Sequence, residues 1–166
     1  MCSSDLGIPG KTGLVYTLDR ETGEFLWARP TVFQNVIENI DGATGIVTEN
    51  PAVVFREMGE IATICPNMHG GKDWEAGAYN PLTNTMFFPL RNMCMPTLVS
   101  DDESASHRIY ALSVRHEITE GETNLGTVYA ISVETGRTEW RYQQQKSTRL
   151  NPSHFVISYA VFCLQH

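Results

Sequence analysis

Apolar and polar residues alternate along this chain in short runs that turn residues separate, and no segment keeps a helical periodicity. Residues 14–19 (LVYTLD) are β-branched and aromatic, a composition that suits a half-buried strand. Residues 20–23 (RETG) supply turn chemistry, because Gly23 can adopt a positive φ. Residues 24–27 (EFLW) then resume an extended pattern. The pattern predicts a strand, a turn and a second strand that ends in Trp27.

The same unit returns in residues 128–140, which match residues 15–27 in register. Any single hairpin can carry Thr-Gly and Trp, but two copies in register favour a repeated blade. A large flat side chain at the start of an outer strand buries much apolar area, which gives the tryptophans a packing role. The identical pairs are Tyr16 and Tyr129, Glu21 and Glu134, Thr22 and Thr135, Gly23 and Gly136, and Trp27 and Trp140.

The rest of the chain also favours strands, so the predicted fold class is all-β: a partial β-propeller of about two blades. The hairpin is the clearest element, because extended runs flank a five-residue turn, NPLTN. The predicted elements are an irregular segment at 31–60 with a turn at 42–45, a strand at 61–64, a hairpin at 77–79 and 85–88 around 80–84, a loop at 97–106, a strand at 109–114 and a polar insertion at 115–124.

Composition and charge narrow the possible functions. The 166 residues are 42% hydrophobic and 19% charged, ordinary values for one globular domain with a core. The net charge of -7, without a cluster of Lys or Arg, argues against a nucleic-acid partner. No run approaches the roughly 18 consecutive apolar residues of a membrane-spanning helix. We therefore predict neither a nucleic-acid partner nor a membrane span.

The two ends differ from the middle of the chain. Residues 1–6 and 146–166 share no repeat with it and resemble translated sequencing adapter; the alternative is a natural β-prone strand at 154–162. The predicted organisation is an artefact at 1–6, a partial propeller at 7–145 and an artefact at 146–166. A partial propeller leaves sheet faces unburied, so we expect poor stability and aggregation.

One segment organises the functional interpretation. Residues 65–74 read CPNMHGGKDW, residues 78–81 read AYNP and residues 92–94 read NMC. A double glycine lets a backbone approach something flat or bulky. With the two tryptophan units, this segment resembles the quinoprotein alcohol dehydrogenases, eight-bladed propellers that carry pyrroloquinoline quinone (PQQ). The likeness covers roughly residues 10–143 and implies about two four-stranded antiparallel blades, with Trp27 and Trp140 docking between neighbouring blades.

The resemblance assigns cofactor contacts to Lys11, Asp73 and Trp74. A lysine before a strand is ordinarily a surface residue, but the family's matching position carries Arg or Lys, which donates hydrogen bonds to the quinone oxygens and stabilises their developing charge. The family usually has Asn-Trp where this chain has Asp73 and Trp74. An ionised carboxylate only accepts hydrogen bonds, so Asp73 is protonated, or pairs with Lys72 or Lys11, or is a reading error. Trp74 has the alternative of a core tryptophan.

Cys65 and Cys94 remain when the ends, with Cys2 and Cys163, are set aside. They are either two buried thiols or a disulfide. Zinc is disfavoured, because the pair lacks the close spacing of zinc ligands. The resembled family bridges cysteines at this spacing, and a disulfide implies an oxidising compartment such as the periplasm.

The function that the resemblance implies is a PQQ- and Ca²⁺-dependent oxidation of primary alcohols by hydride transfer, with electrons passed to a cytochrome c. In the family, the calcium ligands and the catalytic Asp lie upstream of the strand that follows Lys11. They have no counterpart here, so we expect the isolated chain to be inactive. The alternative is a non-catalytic propeller such as an outer-membrane assembly lipoprotein, which needs neither Lys11 nor the Asp73-Trp74 loop.

Overall fold

A computed structural model of the chain describes residues 5–100 and 112–143, and in them the secondary structure is almost entirely antiparallel strand. Within those residues no helix is long and apolar enough to cross a membrane. The strands are β1 (Asp5–Pro9), β2 (Leu14–Asp19), β3 (Phe25–Pro30), β4 (Ile37–Ile40), β5 (Val47–Glu49), β6 (Ile61–Ile64), β7 (Ala78–Asn80), β8 (Thr85–Arg91), β9 (Met93–Val99), β10 (Leu112–Val114), β11 (Glu117–Ile118), β12 (Gly126–Ser132) and β13 (Thr138–Gln143), with a 3-10 turn at Pro51–Val53.

The two repeats form two hairpins with the same turn. In the first, Asp19 Oδ1 accepts hydrogen bonds from the backbone N–H of Glu21 and Thr22, and Gly23 has φ +76°. In the second, Gly136 has φ +67°. The likeness extends to a shift of register at matching points, after Thr17 in β2 and after Ala130 in β12. The predicted strand–turn–strand units are confirmed.

Each hairpin belongs to a different sheet. β1, β2 and β3 form a three-stranded sheet, the first sheet. β12 and β13 join the predicted hairpin β7–β8 in a four-stranded sheet of order β13-β12-β8-β7, the second sheet. The prediction of that hairpin is confirmed, although β8 continues to Arg91.

The third sheet corrects one prediction. β9 lies at its centre and pairs with β6 along one edge and with β10 and β11 along the other. Residues 97–99, for which the sequence predicts a loop, therefore form the end of β9. Pro96 and the nearby polar residues suggest a loop locally, but partners on both edges satisfy the backbone there, and Thr97 is buried. Residues 101–111 lie outside the described part of the chain.

The segment predicted to be irregular, 31–60, contains a small sheet. β4 and β5 pair around the predicted turn, where Asp41 Oδ1 accepts from the backbone N–H of Thr44 at 2.7 Å. Both strands are short and β5 is fully exposed. Exposed strands carry no apolar alternation, which is why the sequence pattern missed them.

The main core lies between the first and second sheets, and Trp27 packs against it. The ring of Trp27 lies over Gly136, the turn glycine of the second repeat. Its counterpart Trp140 lies on the opposite face of the second sheet, is 41% exposed and packs on Phe87 with ring centroids 5.7 Å apart. The core residues are Val15, Val32, Met86, Phe88, Leu90, Tyr129, Ile131 and Val133.

The predicted foreign ends lie mostly outside the described residues. Asp5 and Leu6 are exceptions, because their backbones pair with β2 as part of β1. Pairing does not reveal the origin of a segment, so the boundaries at residues 6 and 146 stay predictions.

Candidate functional site

The glycine pair packs against the chain's own backbone. Gly71 N–H donates to the carbonyl of Lys11 at 2.9 Å, in the turn before β2. A Cβ on Gly70 would lie 2.7 Å from Lys11 Cα, and one on Gly71 would lie 2.9 Å from Gly13 Cα. The close approach expected at the double glycine is therefore real, and the turn that carries Lys11 makes it.

This contact brings Lys11 beside Asp73. Lys11 Nζ is 3.6 Å from Asp73 Oδ1, and an Arg91 guanidinium nitrogen is 4.0 Å from Asp73 Oδ2. The Lys11 side chain is 63% exposed and that of Asp73 27% exposed. Of the alternatives for Asp73, pairing with Lys11 is the one that the structure contains. Two of the three predicted contact residues thus lie together.

Arg91 also pairs with Glu75, whose side chain is only 3% exposed. A buried carboxylate needs such a partner, because removal from water penalises an isolated charge heavily. Sequence analysis missed both residues. Glu75 lies in the loop and Arg91 at the end of β8, and no local spacing signals that they meet.

Lys72 is buried and holds the loop from inside. Its Nζ donates to the backbone carbonyl of Asp73 at 2.9 Å and to that of Glu75. Burial lowers the pKa of the Lys72 amine, and the charges of Glu75 and Asp73 oppose that shift. Lys72 thus binds loop carbonyls rather than the carboxylate of Asp73.

Trp74, the residue after Asp73, is 62% exposed. The alternative that it is a core tryptophan is therefore wrong. An indole presented at the surface beside a paired cation is available to cover the face of a flat ring system.

A disulfide joins Cys65 and Cys94, and both residues are buried. It ties the start of the glycine loop to β9, the central strand of the third sheet. Two backbone contacts reinforce the connection: Asn67 N–H donates to the carbonyl of Met93 at 2.9 Å, and Cys65 N–H donates to the side chain of Asn35 at 2.8 Å. The predicted bridge is present and anchors one end of the loop.

A cavity of about 240 Å³ lies between this loop and the Lys11 turn. Its wall is mostly apolar, with polar groups from Lys11, Thr12 and Asn67. Such a wall with a few polar groups is typical of small-molecule sites. The chemistry of these donors fits one side of a quinone: apolar surface for the ring and a cation for its oxygens. The lining residues are Lys11, Thr12, Val36, Ile64, Pro66, Asn67, Met68 and Met95.

His69 and His116 approach each other beside Asn67, with ring centroids 5.2 Å apart. The side-chain amide nitrogen of Asn67 is 3.1 Å from His116 Nδ1. Across residues 5–100 and 112–143, no group of three or more His, Cys, Asp or Glu is arranged to hold a metal ion.

Comparison with known proteins gives several relatives, although no model of a protein family matches the sequence. The lanthanide-dependent methanol dehydrogenase of Methylacidiphilum fumariolicum (strain SolV) is 35% identical over 85 residues, which is 51% of this chain and 14% of that protein. Lupanine 17-hydroxylase (cytochrome c) of a Pseudomonas species is 32% identical over 110 residues, which is 66% of this chain and 16% of that protein. The chain thus spans only a small part of these relatives.

Solved structures agree with the sequence matches. A europium-containing methanol dehydrogenase superposes with a TM-score of 0.70 and 25% identity, over 84% of this chain and 25% of that chain. The quinohemoprotein alcohol dehydrogenase of Comamonas testosteroni superposes with a TM-score of 0.68 at 18% identity, over 84% of this chain and 22% of that chain, which bears on the fold alone. The prediction of an all-β, partial propeller is confirmed. By sequence and by fold, the chain is therefore related to a segment of the PQQ-dependent quinoprotein alcohol dehydrogenases.

Proposed function

We propose that this chain forms one wall of the PQQ site of a quinoprotein alcohol dehydrogenase that oxidises primary alcohols. The observation that supports this most is the pairing of Lys11 with Asp73 at 3.6 Å, beside the exposed indole of Trp74. Residues far apart in sequence, each assigned to the cofactor by family likeness, meet at one place. The names of the relatives support an alcohol substrate, and they do not support a non-catalytic scaffold.

In the proposed site, Lys11 donates hydrogen bonds to a quinone oxygen and Trp74 covers part of the ring. When bound, PQQ accepts the hydride of the alcohol, so negative charge develops on its oxygens. A fixed cation stabilises that charge without reorganising. Arg91 draws on the carboxylate of Asp73 from the other side, which leaves Lys11 less tightly held by its partner.

The carboxylate of Asp73 lies where the family usually has an amide donor. It accepts hydrogen bonds from Lys11 and Arg91 but offers none to a quinone oxygen. In this proposal Asp73 sets the position of Lys11 and does not itself donate to the cofactor.

The rest of the proposal concerns the whole protein. We propose that residues 7–145 are a propeller segment and that residues 1–6 and 146–166 are foreign to it. PQQ-dependent relatives imply a metal beside the cofactor; we propose Ca²⁺, held by residues outside this chain, although the relatives named above include lanthanide-dependent and europium-containing enzymes. The name of lupanine 17-hydroxylase supports a cytochrome c acceptor, and the disulfide supports a periplasmic location.

Binding of PQQ to the purified 166-residue chain tests the proposal directly. Equilibrium dialysis gives the affinity, and quenching of tryptophan fluorescence reports contact with an indole. Lys11→Ala is expected to weaken binding by at least about tenfold, the usual cost of losing a charged hydrogen bond. Arg137→Ala removes an exposed cation in the second repeat and serves as the matched control. Equal affinities of the wild type and Lys11→Ala would refute the assignment.

Asp73→Asn distinguishes positioning from repulsion. The substitution restores an amide donor and removes the negative charge, so we expect tighter binding of PQQ than in the wild type. Weaker binding would show that the carboxylate is needed to hold Lys11. In a third assay, the chain with PQQ, Ca²⁺ and ethanol is expected to give no sustained dye reduction, because the catalytic Asp has no counterpart here.

A further inference from the structure

We propose that the 166-residue chain associates head to tail, with the outer face of the second sheet in one copy packing on the outer face of the first sheet in the next. The proposal is independent of the PQQ site. It rests on a packing arrangement that occurs once inside the chain and for which the chain carries both complementary surfaces a second time.

The internal arrangement uses one face of the first sheet. The register places Val15 opposite Arg29 and Thr17 opposite Trp27, so these four side chains share a face. Val15 and Thr17 are fully buried against the second sheet. A Cβ at Gly136 would lie 2.9 Å from the Trp27 ring and 2.8 Å from Arg29 Cγ. This face therefore seats its two largest side chains on a turn glycine of the neighbouring sheet.

The repeat reproduces that face on the outside of the second sheet. Val128 lies opposite Tyr142, and Ala130 lies opposite Trp140, in the positions of Val15, Arg29, Thr17 and Trp27. Here the two large side chains are exposed, Trp140 by 41% and Tyr142 by 50%. Phe87 extends the apolar surface beside Trp140. An apolar sheet face of this kind marks an interaction surface.

The complementary turn is also present. Gly23 is the counterpart of Gly136 and has the same left-handed backbone, with φ +76°. A Cβ at Gly23 would meet nothing within 4 Å, whereas the seat at Gly136 is filled by Trp27. Gly23 is exposed. The first sheet thus presents a turn of the shape that receives an indole, with no indole on it.

The outer face of the first sheet matches the surface that surrounds the filled seat. Tyr16 and Leu18 occupy the positions of Tyr129 and Ile131, which pack against Val15 in the core. Ile8, opposite Tyr16, is 43% exposed and adds apolar area. Both halves of a sheet-on-sheet contact therefore lie on the surface of one chain, at opposite sides.

A second copy is the partner that carries the right seat. Because the two surfaces differ, the contact is heterologous, and repeated contacts close into a ring or extend as a filament. A further sheet in a longer chain would cover the same surface; in the 166-residue chain we assign it to a second copy.

Sedimentation velocity over a range of concentrations tests the proposal. The wild type is expected to form species larger than the monomer, with a distribution that shifts with concentration. Trp140→Ala removes the inserted indole and Gly23→Asn adds a side chain at the seat, while Asn tolerates a positive φ. Each is expected to weaken association by at least about tenfold, as buried tryptophans at interfaces usually do. Circular dichroism checks that both variants fold.

Mixing the two variants gives the sharpest result. A Trp140→Ala copy keeps its seat and a Gly23→Asn copy keeps its indole, so the mixture is expected to form one-to-one dimers that do not grow. Leu82→Ser is the control, because Leu82 is 94% exposed in the turn between β7 and β8, and it is expected to associate as the wild type does. A monomeric wild type, unimpaired variants, no dimers in the mixture, or equal loss in Leu82→Ser would each overturn the proposal.

Discussion

The indole of Trp27 lies so close to Gly136 that a Cβ there would be 2.9 Å from ring carbons Cε3 and Cζ3. The first repeat is thereby packed on the turn of the second, across the interface of two sheets. The equivalent glycine of the first repeat, Gly23, has the same sign of φ, but a Cβ there would have no neighbour within 4 Å. The two glycines form a natural pair for measuring this contact.

Gly136→Ala is expected to destabilise the fold more than Gly23→Ala does. Both substitutions carry the penalty for a side chain at positive φ, about 1–2 kcal/mol. Only Gly136→Ala also forces overlap with Trp27, which adds about 1–3 kcal/mol. Urea unfolding at a concentration where the chain is monomeric gives both free energies. Equal costs for the two variants would contradict the contact.

The disulfide is expected to contribute about 3–4 kcal/mol to the free energy of unfolding, because it closes a loop with a sequence separation of 29 residues. The double variant Cys65→Ala with Cys94→Ala leaves neither thiol of the pair behind and tests this by urea unfolding. Adding a reductant should destabilise the wild type by a similar amount and leave the double variant unchanged. A wild type that does not respond to reductant would show that the bridge does not form.

The pair of Arg91 with the buried Glu75 predicts a strongly asymmetric double-mutant cycle. Arg91→Met leaves the carboxylate of Glu75 buried without its cation, at an expected cost of about 3–5 kcal/mol. Replacing both residues, with Glu75→Gln added, is expected to recover a large part of that loss. A cost below about 1 kcal/mol for Arg91→Met would mean that the pair behaves like an exposed one.

Lys72 predicts a dependence of stability on pH. Burial lowers the pKa of its amine below the ordinary value of 10.5, so the folded state holds this proton less tightly than the unfolded state does. The cost of the buried charge is therefore present at neutral pH and falls as the pH rises through the lowered pKa towards 10.5. The neutral amine can still donate to the carbonyls of Asp73 and Glu75.

The measurement compares the wild type with Lys72→Met across alkaline pH. The stability of the wild type relative to the variant should rise with pH, by no more than about 1.4 kcal/mol per pH unit for one proton. A relative stability that stays flat, or that falls, would show that the amine is not desolvated in the fold.

Much of the fold was open to prediction because it rests on local chemistry. Asp19 and Gly23 encode their turn within five residues, and the second repeat encodes it again, so two hairpins were visible in the pattern. Residues 97–99 and the β4–β5 hairpin were not. Their strand character comes from pairing with distant or exposed partners, which leaves no alternation for a sequence pattern to show.

The candidate site divides in the same way. The sequence by itself determined the repeated turns, the two tryptophans and the cysteine pair, because neighbouring residues and family likeness carry that information. Only the tertiary structure decided that the glycine pair packs on the Lys11 turn, that Arg91 joins Asp73 to Glu75, and that Trp27 is seated while Trp140 is exposed. Those relationships join residues far apart in the chain, and the free energy of an ion pair or a seated indole depends on burial, which arises only when the sheets pack together.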